Sequence, residues 1–126
     1  MTRMHLRRLR PHEIASLAPL VDESSAEGFG FVARLVREHD AGITRFDGPG
    51  ELLLVVEADG EVIAVGGVTR DPHVDDARVG RIRHVYVRAA WRRRGAGRLL
   101  VRALESHARA HFAVLRLRTS TPEGAR

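Results

Sequence analysis

The run Leu52-Leu53-Leu54-Val55-Val56 is apolar at every position. A half-buried strand would alternate apolar with polar residues, so an unbroken run of this length calls for a strand covered on both faces of a sheet. It sits within ELLLVVEADGEVIAVGGVT, where two β-rich segments flank Asp59-Gly60. That pair suits a tight turn with positive φ angles, so the segment reads as a hairpin.

The flanking sequence supplies the cover. Residues 6–10 form a short strand candidate, and Pro11 is placed as the first residue of a helix carrying Ile14, Leu17 and Val21 on one side, ended or bent at Pro19. Phe31, Val32, Leu35, Val36 and His39 then fall at helical spacing, with Gly42 as the stop and residues 46–50 as the loop into the hairpin. After the polar stretch RDPHVDDARVG come a strand over residues 82–87, a helix to about His111 and a last strand over residues 114–119. The order β-α-α-β-β-β-α-β predicts an α/β (α+β) fold of three layers, with a mixed central sheet and helices on both faces. No repeat or linker divides the 126 residues, so a single domain over 1–126 is expected.

Composition narrows the function classes. With no cysteine there is no disulfide, thiolate metal site or cysteine nucleophile. No stretch approaches the roughly 20 apolar residues of a membrane helix, and MTRMHLRRLRPH lacks an apolar segment behind its charges. The expectation is a cytoplasmic protein without a membrane partner. All 21 basic residues are arginine; nine lie within residues 78–102, where there is no carboxylate, leaving 12 against 16 acids elsewhere. The basic character therefore belongs to one segment, which favours a polyanionic ligand or forms a solvated face.

That segment contains AAWRRRGAGRLLVRALE. A Walker A loop would need Gly-Lys-Ser/Thr, but Gly97 is followed by Arg98-Leu99; a dinucleotide fingerprint would need a third glycine where Leu100 stands. What remains is the physics these motifs share. Small residues let main-chain N–H groups meet phosphate oxygens, the following helix adds its positive end, and Arg92, Arg93, Arg94 and Arg98 add charge-assisted contacts.

In this context Arg92-Arg93-Arg94-Gly95-Ala96-Gly97 resembles the acyl-CoA loop, Arg/Gln-x-x-Gly-x-Gly/Ala, of the GNAT superfamily of N-acetyltransferases. It follows IRHVYV, similar to the family's fourth strand, and precedes RLLVRALESHA, similar to its third helix. Likeness continues through PGELLLVVEADGEVIAVGGVTRDP and LRLRTSTPEGA, covering nearly the whole chain. The resemblance implies acetyl-CoA as co-substrate, with the loop amides on its pyrophosphate. It places the main chain around Val85, Tyr86 and Val87 along the pantetheine arm, and the acyl group over a gap between splayed fourth and fifth strands. It also implies direct attack of a neutral primary amine on the thioester, with the Val87 N–H at the oxyanion.

For the base, residues 82–87 hold no carboxylate, leaving His84, with a structural histidine as the alternative. Glu23, Glu27, Asp71 and His73 fall in regions that resemble the family's substrate-facing side, and any could act through water; taken singly, each also fits a solvated surface charge. Members of the family continue into a fourth helix, often bearing the acid, and two further strands. Here Thr121-Pro122-Glu123 reads as that helix's opening, and Tyr86 is the only tyrosine. The chain is cut short, or a second copy completes the fold as a homodimer, or water supplies the proton. His107 and His111 stand at i,i+4 without a third ligand, so no metal is expected, and Trp91 reads as a packing anchor. A non-catalytic acyl-CoA-binding module is the second reading. Nucleic-acid binding is placed last for want of interleaved aromatics or a helix-turn-helix.

Overall fold

In a computed structural model describing residues 3–117, the doubly apolar run is strand β2 (Leu52–Ala58), paired antiparallel with β3 (Glu61–Arg70). The turn between them has Asp59 at φ 53° and Gly60 at φ 78°, the two positive angles expected of this pair. Alternation then sends the run both ways. Leu52, Leu54 and Val56 pack with Leu100, Leu104 and Ala108 of helix α3 (Ala96–Ala108), while Leu53 and Val55 pack with Leu17, Leu20, Val32 and Leu35. Those opposing residues come from the 3-10 segment Pro11–Leu17 and helices α1 (Ala18–Ala26) and α2 (Phe31–Asp40). Each fully buried leucine or valine contributes on the order of 1.5–3 kcal/mol, so a polar residue anywhere in this run would weaken one of two cores.

Strand β1 (His5–Arg8) pairs antiparallel with β2, and β3 pairs antiparallel with β4 (Val79–Val87). Helix α3 then crosses over to β5 (Val114–Leu117), parallel to β4, giving a five-stranded mixed sheet in the order β1-β2-β3-β4-β5. The three layers expected from the sequence are present.

Several boundaries differ from the sequence reading, among them β1, which spans His5–Arg8 where the sequence predicts residues 6–10. Pro19 opens α1 instead of ending a helix, because its missing N–H is harmless in a first turn; the preceding turns are 3-10. Strand β4 begins at Val79 instead of residue 82. Gly80 is paired opposite Arg70, and a Cβ there would stand 2.5 Å from Cδ2 of Phe112, so this glycine admits a ring and marks no turn. Helix α3 ends at Ala108, and His111 lies in the following turn. Strand β5 is described to Leu117; the end of the expected strand and Thr121-Pro122-Glu123 lie outside the described residues.

One irregularity shapes everything that follows. Between Val65 and Gly67 of β3 the register with β4 slips, so that Tyr86 and Arg83 oppose residues only two apart: β4 carries a bulge. At the bulge His84 has φ 62°, and its ring turns toward the α1/α2 face against Phe46, with centroids 6.3 Å apart.

Candidate functional site

The site runs along β4, with a main-chain loop at one end and a side-chain cleft at the other. After β4 a short 3-10 turn, Ala89–Trp91, leads to Arg93 at φ 64° and Gly95 at φ 91°, and α3 begins at Ala96. Gly95 is needed for that angle, which a side chain rarely adopts. The first helical bond in this region is Leu99 N–H to Gly95 O, 3.0 Å; the N–H groups of Arg93 to Arg98 find no acceptor among the described residues. Six successive donors thus surround the positive end of a 13-residue helix. A Cβ added at Gly97 would meet only Val87 Cγ2, at 3.5 Å, so folding itself does not require glycine there. Arg93, Arg94 and Arg98 are exposed, with Arg94 lying 5.0 Å over the Trp91 ring.

Arg92 turns the other way. Its Nε donates to the carbonyl of Val87 (3.0 Å), and its Nη2 donates to Glu27 Oε1 (2.6 Å) and lies 3.3 Å from the Tyr86 hydroxyl. The same hydroxyl lies 2.6 Å from Glu27 Oε1 and 2.8 Å from Glu23 Oε2. Glu23 in turn accepts the Ala89 N–H (2.8 Å) and Arg88 Nε (3.3 Å). Arg92 and Tyr86 hold Glu27 below the usual carboxylate range. Burial alone would raise Glu23, but the Ala89 N–H, Tyr86 and Arg88 together hold it low. Burial and these two carboxylates push the Tyr86 phenol up. The network ties the end of α1 to the loop, and it engages a guanidinium that sequence reasoning assigned to phosphate.

Among the described residues, the edge of β4 beside this network has no strand paired to it: β5 pairs only with Val79 to Ile82, leaving residues 83–87 without an outer strand. Arg88 donates its N–H to Ile63 O on β3 (3.0 Å), so strand alternation turns the main chain of Val87 toward that open edge. Val85 lies at the bulge and packs with Val87 against the α3 side.

His84 is buried, 6% exposed, and neither ring nitrogen has a hydrogen-bond partner among the described residues. Burial, reinforced by Arg83 and Arg34, pushes its pKa down to about 3. Asp71 is buried rather than solvated: its Oδ1 accepts the His73 N–H (2.9 Å), with Arg81 at 4.0 Å and Arg116 at 3.8 Å. His73 is exposed at the rim of the same cleft. That cleft, of about 800 Å3, reaches inward to Thr69, Asp71 and Arg83. Glu23 and Glu27 lie elsewhere, at the loop end, so the expected acceptor residues divide into two groups. Arg83, Thr69 and Arg88 were missed by sequence reasoning. Only the absence of carboxylates in residues 78–102 hinted at the arginines.

His107 of α3 and His111 of the turn that follows lie tilted against each other, ring centroids 5.9 Å apart. No helix among the described residues is long and apolar enough to cross a membrane.

Comparison with known proteins agrees with this geometry. Residues 18–124 match the family model for the acetyltransferase (GNAT) family. A structure from Exiguobacterium sp. 255-15, assigned as an acetyltransferase, is 30% identical with a TM-score of 0.85, covering 95% of this chain and 78% of that one. The fold is shared with ribosomal-protein-alanine N-acetyltransferase from Brucella melitensis (23% identity, TM-score 0.63, 99% and 86% covered). It is shared too with glucosamine-6-phosphate N-acetyltransferase from Arabidopsis thaliana (20%, 0.61, 94% and 84%). No curated protein matches the chain.

Proposed function

Because the chain belongs to the acetyltransferase (GNAT) family, we propose that it transfers an acetyl group from acetyl-CoA to a primary amine by direct attack. The observation that carries this reading is the run of unpaired main-chain donors from Arg93 to Arg98 at the start of α3, beside the open edge of β4. The donors suit a pyrophosphate, and Arg93, Arg94 and Arg98 reinforce them electrostatically. Arg92 braces the loop through Glu27, Tyr86 and Val87. When bound, acetyl-CoA supplies the activated thioester. The Val87 N–H, turned to the open edge, is placed to stabilise the oxygen on which negative charge develops.

The attacking nitrogen must first lose a proton, and His84 is a poor acceptor for it with a pKa near 3. In this reading the amine is deprotonated by water, so kcat/KM rises about tenfold per pH unit until the amine's own pKa, near 10. A plateau above neutral pH would instead assign a protein base.

Turnover is read by thiol release. The protein has no cysteine, so released coenzyme A is the only thiol in the assay. Thiol release that requires both acetyl-CoA and an amine supports the reading; acetyl-CoA binding without turnover across a broad amine panel would leave a non-catalytic acyl-CoA-binding domain, and no binding would remove both.

A further inference from the structure

Arg83 projects from the bulged part of β4 into the cleft, with its side chain 19% exposed. Its nearest carboxylate, Glu38 Oε1 on α2, is 3.9 Å away, and no acceptor among the described residues lies within hydrogen-bond distance of its five N–H donors. Burial lowers its pKa against the pull of Glu38, with Arg34 and Arg81 adding like-charge repulsion. Beside it Thr69, 3% exposed, has a hydroxyl with no partner. The Thr69 hydroxyl is therefore buried without a hydrogen bond, and the part-buried Arg83 guanidinium beside it keeps its donors unspent on protein groups.

The carboxylates around the cleft are held or balanced by neighbours, although Asp71 Oδ2 itself has no hydrogen bond among the described residues and lies 3.8 Å from Arg116. Glu51 takes the N–H groups of Gly48 (3.2 Å) and Arg70 (3.0 Å), and Asp71 is held by His73 N–H between Arg81 and Arg116. Asp47 and Asp75 are exposed at the rim, Asp75 paired with Arg70 at 3.6 Å. With Asp71 flanked by the two cations Arg81 and Arg116, the unspent donors of Arg83 leave the inner end of the cleft suited to an oxyanion, and the planar guanidinium fork matches carboxylate or phosphate.

On the reading that this chain acetylates amines, we infer that the acceptor carries an anionic group, a carboxylate or a phosphate, which Arg83 and Thr69 bind in the cleft. Arg83 lies four residues before Val87 across the bulge, less than the roughly 13 Å that four fully extended residues would span, so one small acceptor can be anchored at the cleft while its amine points toward the open edge. Arg83 is then a specificity-determining residue. The two sources of the anion differ only in the acceptor that bears it.

The test compares matched acceptors. L-amino acids are assayed against their amides, and 2-aminoethyl phosphate against ethanolamine, in wild type, Arg83→Met, Arg83→Lys and Thr69→Val. Wild type should favour one anionic series by at least tenfold in kcat/KM. Arg83→Met should abolish that preference, Arg83→Lys should keep part of it, and Thr69→Val should reduce it, all with acetyl-CoA affinity within twofold of wild type. Equal rates for charged and uncharged partners in wild type, or a preference that survives Arg83→Met, would overturn the inference. A second arm does not depend on turnover: succinate and inorganic phosphate are titrated at constant ionic strength while the 15N signal of Arg83 Nε is followed. Saturable movement of that signal supports the anion site even if acetyl-CoA fails to bind, which would defeat the proposed activity alone; no movement with either anion overturns the site.

Discussion

The two ends of β4 solve different problems with different materials. At the loop end, residues 93–98 are consecutive, and what they present is mostly main chain, a row of N–H groups fixed by positive φ at Arg93 and Gly95. At the cleft end, Thr69, Asp71 and Arg83 come from two strands and the connection between them, and what they present is side chain. A main-chain site tolerates changes in side-chain chemistry but not in backbone shape. A side-chain site is the reverse, which suits a feature common to a family at one end and a feature that selects a substrate at the other.

The sharpest way to break this contrast is at Gly97, where a Cβ has room in the protein alone. Gly97→Val should weaken acetyl-CoA binding at least 100-fold, about 2.7 kcal/mol, while the unfolding midpoint stays near wild type. Calorimetric titration with a denaturant curve checks both. Gly95→Val should lose stability as well, since its φ of 91° excludes a branched side chain.

His84 at the bulge gives the next effect. Its folded pKa of about 3 lies below the ordinary histidine value of 6.5, so the unfolded chain binds more protons on acidification. Stability is therefore full above pH 6.5 and falls as pH drops from there toward 3, at up to about 1.4 kcal/mol per pH unit. Denaturant unfolding between pH 7.5 and 5 should show this slope in wild type and a flatter one in His84→Phe. Equal slopes would mean that the ring is not desolvated.

A smaller effect separates two roles for Arg92. If it braces the loop, Glu27→Gln should weaken acetyl-CoA binding several-fold, in the same direction as Arg92→Met. If instead Glu27 withholds Arg92 from phosphate, Glu27→Gln should tighten binding. The sign of the change, read by titration, decides between them.

The contrast also explains what could be read in advance. The hairpin was legible because Asp59-Gly60 and the Leu52 to Val56 run are local signals whose consequences are local. The loop was legible because Gly95-Ala96-Gly97 encodes backbone shape in order. The bulge was not: nothing in the sequence IRHVYV shows a histidine at φ 62°, which arises from pairing with β3. In the sequence Gly80 looks like the end of a loop, because its partner, Phe112, lies 32 residues away. The resemblance groups Asp71 and His73 with Glu27 by role, yet the fold sends them to opposite ends of β4. Arg92 shows the limit even within a legible motif: its spacing was clear, but its partner Glu27 sits on another element.

Whether the amides of Arg93 to Arg98 receive the pyrophosphate can be read by titrating 15N-labelled protein with coenzyme A and following every backbone N–H. The largest saturable shifts should fall on Arg93 through Arg98, with Val87 next and the hairpin turn at Asp59-Gly60 unmoved. Saturable shifts confined to other residues, with those six amides unchanged, would contradict that contact.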